Sequence, residues 1–203
     1  DVANVLLTKA GSFNTANAGT GVPVTMTNSI SGSASANYIL TQPTGVSANI
    51  TPAPLGITLA AVYSGSTMVA PTSFALTGLV NGETITSITR ASVANVNVAG
   101  NSGNFVRSIM IGGGTALASN YTFNTAASTT AGSSLNSVTL STKALTVTGT
   151  LADAKVYDGP VNANVWGGKL VGVELGELLN IKKKKKFNSA NVGSAITVMV
   201  NDN

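Results

Sequence analysis

Two hundred and three residues carry only 9% charged and 5% aromatic side chains, with no histidine and no cysteine. The chain therefore lacks the commonest general base and metal ligand, and it lacks disulfides, thiolate metal sites and thiol nucleophiles. Its seven carboxylates (Asp1, Glu83, Asp153, Asp158, Glu174, Glu177, Asp202) are scattered, so no enzyme is expected, no catalytic, cofactor-binding or metal-binding residue is assigned, and no cofactor is implied.

The net charge is +4, but Lys182–Lys186 supply five of the eleven basic residues, and the other six face seven acids. A nucleic-acid face spreads Lys and Arg over a surface with aromatics between them, so no nucleic-acid partner is expected. The lysine run reads first as a solvated loop or edge strand, and second as a contact for a polyanion or membrane surface. No segment approaches the ~20 apolar residues of a membrane span. With no leader before Asp1, the chain reads as processed or cut from something larger. Thr (26), Ser (21) and Asn (21) make up a third of it; so little charge suits a surface that meets neighbouring copies or a polymeric matrix.

In chain order, Val22, Val24 and Met26 form an alternating strand, and Asn81-Gly82 is a hairpin signal because both residues tolerate positive φ. Leu145, Val147 and Leu151 alternate with Thr146, Thr148 and Thr150; Asp158-Gly159 is a second hairpin signal. Val171–Leu179 is ambiguous between helix and strand, and Ile196, Val198 and Val200 alternate with Thr197 and Met199. Pro43, Pro52, Pro54, Pro71 and Pro160 punctuate the runs as edges or turns. Short strands spaced by turns predict a sandwich.

The chain also repeats itself. Val62-Tyr63-Ser64-Gly65 returns 94 residues later as Val156-Tyr157-Asp158-Gly159. At the same offset, Leu76-Thr77-Gly78-Leu79-Val80-Asn81-Gly82-Glu83 returns as Leu170-Val171-Gly172-Val173-Glu174-Leu175-Gly176-Glu177. Thr8-Lys9-Ala10 with Asn17-Ala18-Gly19, Thr89-Arg90-Ala91 with Val98-Ala99-Gly100, and the segment ending Asn191-Val192-Gly193 form a triple. Ala36-Asn37-Tyr38-Ile39-Leu40 pairs with Ser119-Asn120-Tyr121-Thr122-Phe123. The repeat is 80 to 95 residues: 1–53 is the C-terminal part of one copy, 54–143 a complete copy, and 144–203 the N-terminal part of another.

Lys155-Val156-Tyr157-Asp158-Gly159 with Asn191-Val192-Gly193, and Asn37-Tyr38-Ile39-Leu40 with Ile50-Thr51-Pro52, carry a resemblance to YDG-type repeats, related to MBG repeats. These belong to large bacterial filamentous-haemagglutinin-like surface adhesins exported by two-partner secretion. The middle copy departs, with Ser64 for the aspartate and Ala99-Gly100 for Val-Gly. The resemblance implies a cell-surface, stalk-like or adhesive role, and neither a ligand nor catalytic residues.

Individual residues read mostly as structural. Asp158 is a turn residue before it is a calcium ligand, since calcium takes six to eight oxygens and only Asp153 is near. Tyr63 and Tyr157 are expected to bury their rings with satisfied hydroxyls. Trp166, the only tryptophan, is expected to pack on a sheet, with stacking on a sugar as its functional alternative. Lys9, Arg90 and Lys183 occupy equivalent positions and read as strand-edge charges before an acidic-partner site. A self-forming Lys–Asn link needs a buried carboxylate and is not expected. Asn49-Ile50-Thr51 and Asn120-Tyr121-Thr122 match the glycosylation sequon only formally. The lysine run replaces an alternating strand, where like charges repel across a ladder, and is expected in a solvated bulge or as a stretch foreign to the repeat.

The expectation is an all-β chain of serial Ig-like β-sandwich repeats, extracellular, structural and adhesive. Its expected partners are further copies of the repeat, head to tail, and a host or matrix polysaccharide. The alternative is a carbohydrate-binding module.

Overall fold

The structure, a computed structural model, describes residues 4–179 and 183–202. It is mostly β and divided into many small sheets. The first stretch contains β1 (Leu6–Thr8), β2 (Gly11–Phe13), β3 (Gly19–Met26), β4 (Ser29–Ser31) and β5 (Ser47–Ile50), arranged as β1-β4 and β2-β3-β5. The middle holds β6 (Ala53–Pro54), β7 (Gly56–Val62), β8 (Met68–Val69), β9 (Pro71–Thr77), β10 (Ile85–Val93), β11 (Val106–Gly114), β12 (Tyr121–Thr122) and β13 (Asn136–Ser141). These form two three-stranded sheets, β13-β7-β9 and β11-β10-β8, and a β6-β12 pair. The last stretch has two antiparallel pairs, β14 (Thr146–Ala152) with β15 (Val165–Val171) and β16 (Lys183–Phe187) with β17 (Val198–Asp202).

A single cluster of buried apolar residues fills the space between the two middle sheets. Leu55, Ile57, Leu59, Val69, Val93, Val106, Val138 and Leu140 are all 3% exposed or less, and every buried member of the cluster lies between Leu55 and Leu140. β7 builds its share by alternation, burying Ile57, Leu59 and Ala61 while Thr58 and Ala60 are half-buried. Outside this cluster burial is sparse, with Val22 in the first stretch and Ala163 and Val165 in the last. The accessible surface is 12999 Å², whereas a compact monomer of this mass exposes roughly 8,800 Å², so much of the chain is left uncovered.

Among the described residues, two pairings are parallel. β13 runs beside β7 from Asn136↔Ile57 to Ser141↔Val62, and β12 beside β6. The first and last strands of the middle stretch thus point the same way. The chain comes in at one end of this sheet and leaves from the other.

Several sequence expectations are corrected. Asn81 and Gly82 do form a tight turn at φ 51° and 70°, closed by Glu83 N–H donating to the Val80 carbonyl at 2.9 Å. The flanking strands β9 and β10 nevertheless join different sheets, because each buries its apolar side against the shared core from an opposite layer, so this is a crossover and not a hairpin. Asp158-Gly159 lies in the twelve-residue connection 153–164 between β14 and β15, and its hairpin is correspondingly wide. Residues 172–179 contain no helix; they repeat the crossover turn, with Glu177 N–H donating to the Glu174 carbonyl at 3.1 Å. Lys183–Lys186 form a strand and not a bulge, their backbones laddered to Asp202–Met199; Lys185 and Lys186 are exposed, and lysines on an outer strand remain hydrated. Lys182 lies outside the described residues. Arg90 is not on an edge: β10 is the central strand of its sheet, and Arg90 points outward from it.

Candidate functional site

The Tyr-Asp-Gly element sits in the 153–164 loop and is held by one lysine. Lys155 Nζ donates to Asp158 Oδ1 at 2.5 Å and to the Pro160 carbonyl at 2.6 Å, and lies 5.8 Å from the centre of the Phe187 ring. Gly159 turns the chain at φ 93°. Asp158 thus forms part of a turn clamp. The middle copy has Ala61 and Ser64 in place of Lys155 and Asp158, so it has no such clamp, and the buried Ser64 Oγ has no hydrogen-bond partner among the described residues.

Asn191-Val192-Gly193 folds back to face this loop. Between them lies a cavity of about 310 Å³, lined by Asp153, Lys155, Tyr157, Phe187, Asn191 and Ile196 among others. Two signature elements more than thirty residues apart in sequence therefore share one hollow. Tyr157 is 64% exposed at its rim, against the expected burial, because this stretch has no second sheet over it comparable to the middle one.

Trp166 stands beside this hollow on β15, 53% exposed. Its Nε1–H donates to Asp153 Oδ1 at 2.7 Å, and Asn164 Nδ2 donates to Asp153 Oδ2 at 2.5 Å. Asp153 thereby fixes the indole in place with much of its ring open to solvent, where close sheet packing was expected.

A second cavity of about 260 Å³ lies where the middle and last stretches meet, lined by Tyr63, Val98, Leu145, Val173, Glu177 and Leu179 among others. Two polar contacts cross it: Tyr63 Oη–H donates to Glu177, and Lys143 pairs with Glu174. The Glu177 hydrogen bond first, then desolvation, then the charges of Glu177 and Glu174, raise the Tyr63 hydroxyl above its ordinary 10.0. The first and middle stretches meet at the opposite end, where Ala18 N–H donates to Asn120 Oδ1 at 2.9 Å and Asn120 Nδ2 donates to Asn17 Oδ1 at 3.0 Å.

The middle stretch holds a second Tyr–Glu pair. Tyr121 is 8% exposed; its hydroxyl donates to Glu83 Oε2 at 2.6 Å and accepts from Val80 N–H at 3.2 Å. Burial, then the Glu83 hydrogen bond, raise its pKa above 10.0 against a smaller opposing effect of the Val80 N–H.

The sequence reading missed a set of asparagines. Asn101 brackets Leu140, Asn104 brackets Asn95, and Asn136 brackets Val106: in each case the side-chain amide donates to the backbone carbonyl and accepts from the N–H of one residue at 2.8–2.9 Å. Gln42 does the same to Asn28. The surplus of Asn was the available signal. Of the two sequons, Asn49 accepts from Gly21 N–H, and Asn120 is engaged as above. Lys9 lies exposed between β1 and β2. Among the described residues no three His, Cys, Asp or Glu side chains gather, and no helix is long and apolar enough to cross a membrane.

The family model of the YDG domain matches residues 1–45 and 141–203, together just over half of the chain, and leaves residues 46–140 unmatched. No curated protein and no solved structure matches it. On that match the chain belongs to the YDG domain family, whose members are repeat domains of surface proteins.

Proposed function

We propose that the chain is a non-catalytic structural and adhesive segment of an extracellular bacterial surface protein or filament. It is built from serial Ig-like sandwich repeats that continue head to tail. The observation that carries this reading is the parallel pairing of β7 with β13. A unit whose first and last strands run the same way takes the chain in at one end and releases it at the other, so successive units extend a rod. The junctions agree: Asn17–Asn120 lies near the Ala53 end of the middle unit, and Tyr63–Glu177 near its Ser141 end. The low charge suits side-by-side packing in a fibre or matrix.

Small-angle scattering tests it. A compact chain of this length has a radius of gyration of about 17 Å, and the rod reading predicts a clearly larger value with an elongated distance distribution. A radius near the compact value overturns it.

A second reading, a polysaccharide-binding module, is favoured by one feature, the open Trp166 face held by Asp153 beside a hollow. Indole emission that shifts saturably with a soluble glycan, and ceases to do so in Asp153→Ala, would favour this reading; the structural one predicts no shift.

A further inference from the structure

Residues 53–142 carry only three charged side chains, Glu83, Arg90 and Arg107. The one acid is engaged, since Glu83 accepts from the Tyr121 hydroxyl at the crossover turn. The two bases stand on neighbouring strands of one sheet, Arg90 on β10 and Arg107 on β11. The inner face of that sheet is committed to the core through Ala91, Val93 and Val106, each 1% exposed or less. Arg90 and Arg107 are exposed on the opposite face, and neither is in an ion pair among the described residues.

Two bulges set this arrangement. In β10 the register steps from Ile88↔Ile111 to Arg90↔Met110, so Thr89 is an extra residue. Strict alternation from buried Ile88 would turn Arg90 inward; the bulge turns it out. In β11 the register steps from Ser92↔Ser108 to Val93↔Val106, so Arg107 is itself the extra residue, and Arg107 and Ser108 are both exposed. By strand geometry the two arginine Cα atoms lie about 10 Å apart. Between them on the outer face is the Ser92–Ser108 pair, and Met68 and Met110, 40% and 58% exposed, flank it. The Arg107 guanidinium lies 5.8 Å from the centre of the Phe105 ring, a cation–π contact that steadies it and leaves its N–H edge free for a ligand.

We propose that this face of β8-β10-β11 binds an acidic polysaccharide whose carboxylates stand on alternate sugars. Covering two unpaired arginines with a neutral surface would strip their water for no return, so the partner is anionic. A nucleic-acid strand carries a charge about every 3.4 Å, and arginines about 10 Å apart would meet only every third one. An anionic membrane is read by clusters of about four to eight basic residues. A protein partner needs aromatic or apolar anchors over about 800 Å² a side, and this strip offers two methionines. A polymer with an acid on every second sugar spaces its charges more widely. Each arginine fork takes one carboxylate bidentately, the serine hydroxyls meet the neutral sugar between, and the methionines cover its apolar edges. The site gives the adhesive part of the reading above a ligand class, rests on that reading for its extracellular setting, and is separate from Trp166.

Calorimetric titration of the full-length chain with hyaluronan oligosaccharides, an alternating uronate and N-acetylhexosamine polymer, tests it. Saturable binding that weakens as salt rises is expected. Arg90→Gln/Arg107→Gln should weaken it about tenfold or more, the scale of a lost hydrogen bond to a charged group. Arg90→Lys/Arg107→Lys keeps the charge but not the fork and should cost about threefold. Lys185→Gln/Lys186→Gln removes the same charge from the lysine run and should leave affinity within about twofold, and Asp153→Ala should do the same. All four variants should melt within about 2 °C of the parent chain, since the arginines and lysines are exposed and Asp153 lies outside the core. No saturable binding, equal binding of neutral dextran, tighter binding of single-stranded DNA, or an equal loss in the lysine variant overturns the proposal. An elongated chain that does not bind overturns this inference alone, whereas a compact particle in scattering overturns the reading beneath it.

Discussion

Asparagine does in this chain what extra strand would do elsewhere. A side-chain amide has a carbonyl and an N–H₂ spaced like a peptide group, so one Asn can satisfy both backbone groups of a single residue. Asn136, fully buried, serves Val106 in this way and also donates to the Asn124 carbonyl at 2.7 Å. Asn136→Ala strands these buried groups and should cost about 2–3 kcal/mol in denaturant unfolding, while Asn191→Ala on the exposed loop should stay within about 0.5 kcal/mol. Tyr121 offers a pH signature. Folding holds its proton past pH 10, so as pH climbs the unfolded chain releases that proton first; the stability from this residue is full below pH 10 and is lost above it. Tyr121→Phe should lower stability at pH 8 by about 1–2 kcal/mol and make the decline above pH 10 shallower. An equal slope in the variant would show that the Glu83 bond does not form.

Among the elements, alternation was legible wherever a strand is regular. Val22, Val24 and Met26 in β3 point inward as the pattern requires, and so do Ile196 and Val198 near β17. It failed in β10, whose buried residues are Ile85, Ile88, Ala91 and Val93, because register shifts rephase the strand several times. In β14 the pattern breaks at Gly149, φ 72°, so Val147 is half-buried while Leu151 is 50% exposed. Local turn chemistry was read correctly at Asn81-Gly82, but which sheet each flanking strand joins depends on burial partners far along the chain. The hollow between the Tyr-Asp-Gly and Asn-Val-Gly elements was hidden for the same reason, and so was the parallel β7-β13 pair. The two copies of one strand position give a matched test. Ile57→Ala removes a fully buried side chain and should cost about 2–5 kcal/mol. Val147→Ala, at the same place in the last stretch, should cost under about 1 kcal/mol in the free chain; thermal melts of both variants at low protein concentration make the comparison.

At the scale of the whole molecule, stability is concentrated in the middle. The two three-stranded sheets and their shared cluster lie between residues 53 and 141, and the stretches on either side bury little. The sequence repeat assigns 54–143 as the copy holding every element once, and in the structure β13 runs parallel beside β7, tying the end of that segment to its beginning. The account stands on this segment being a complete unit. The measurement that tests it most directly is the two-dimensional amide spectrum of residues 54–143 expressed alone. Dispersed cross-peaks, lost together in one cooperative thermal transition, are predicted; a collapsed amide region characteristic of a disordered chain would contradict the account and show that the strands are shared between copies.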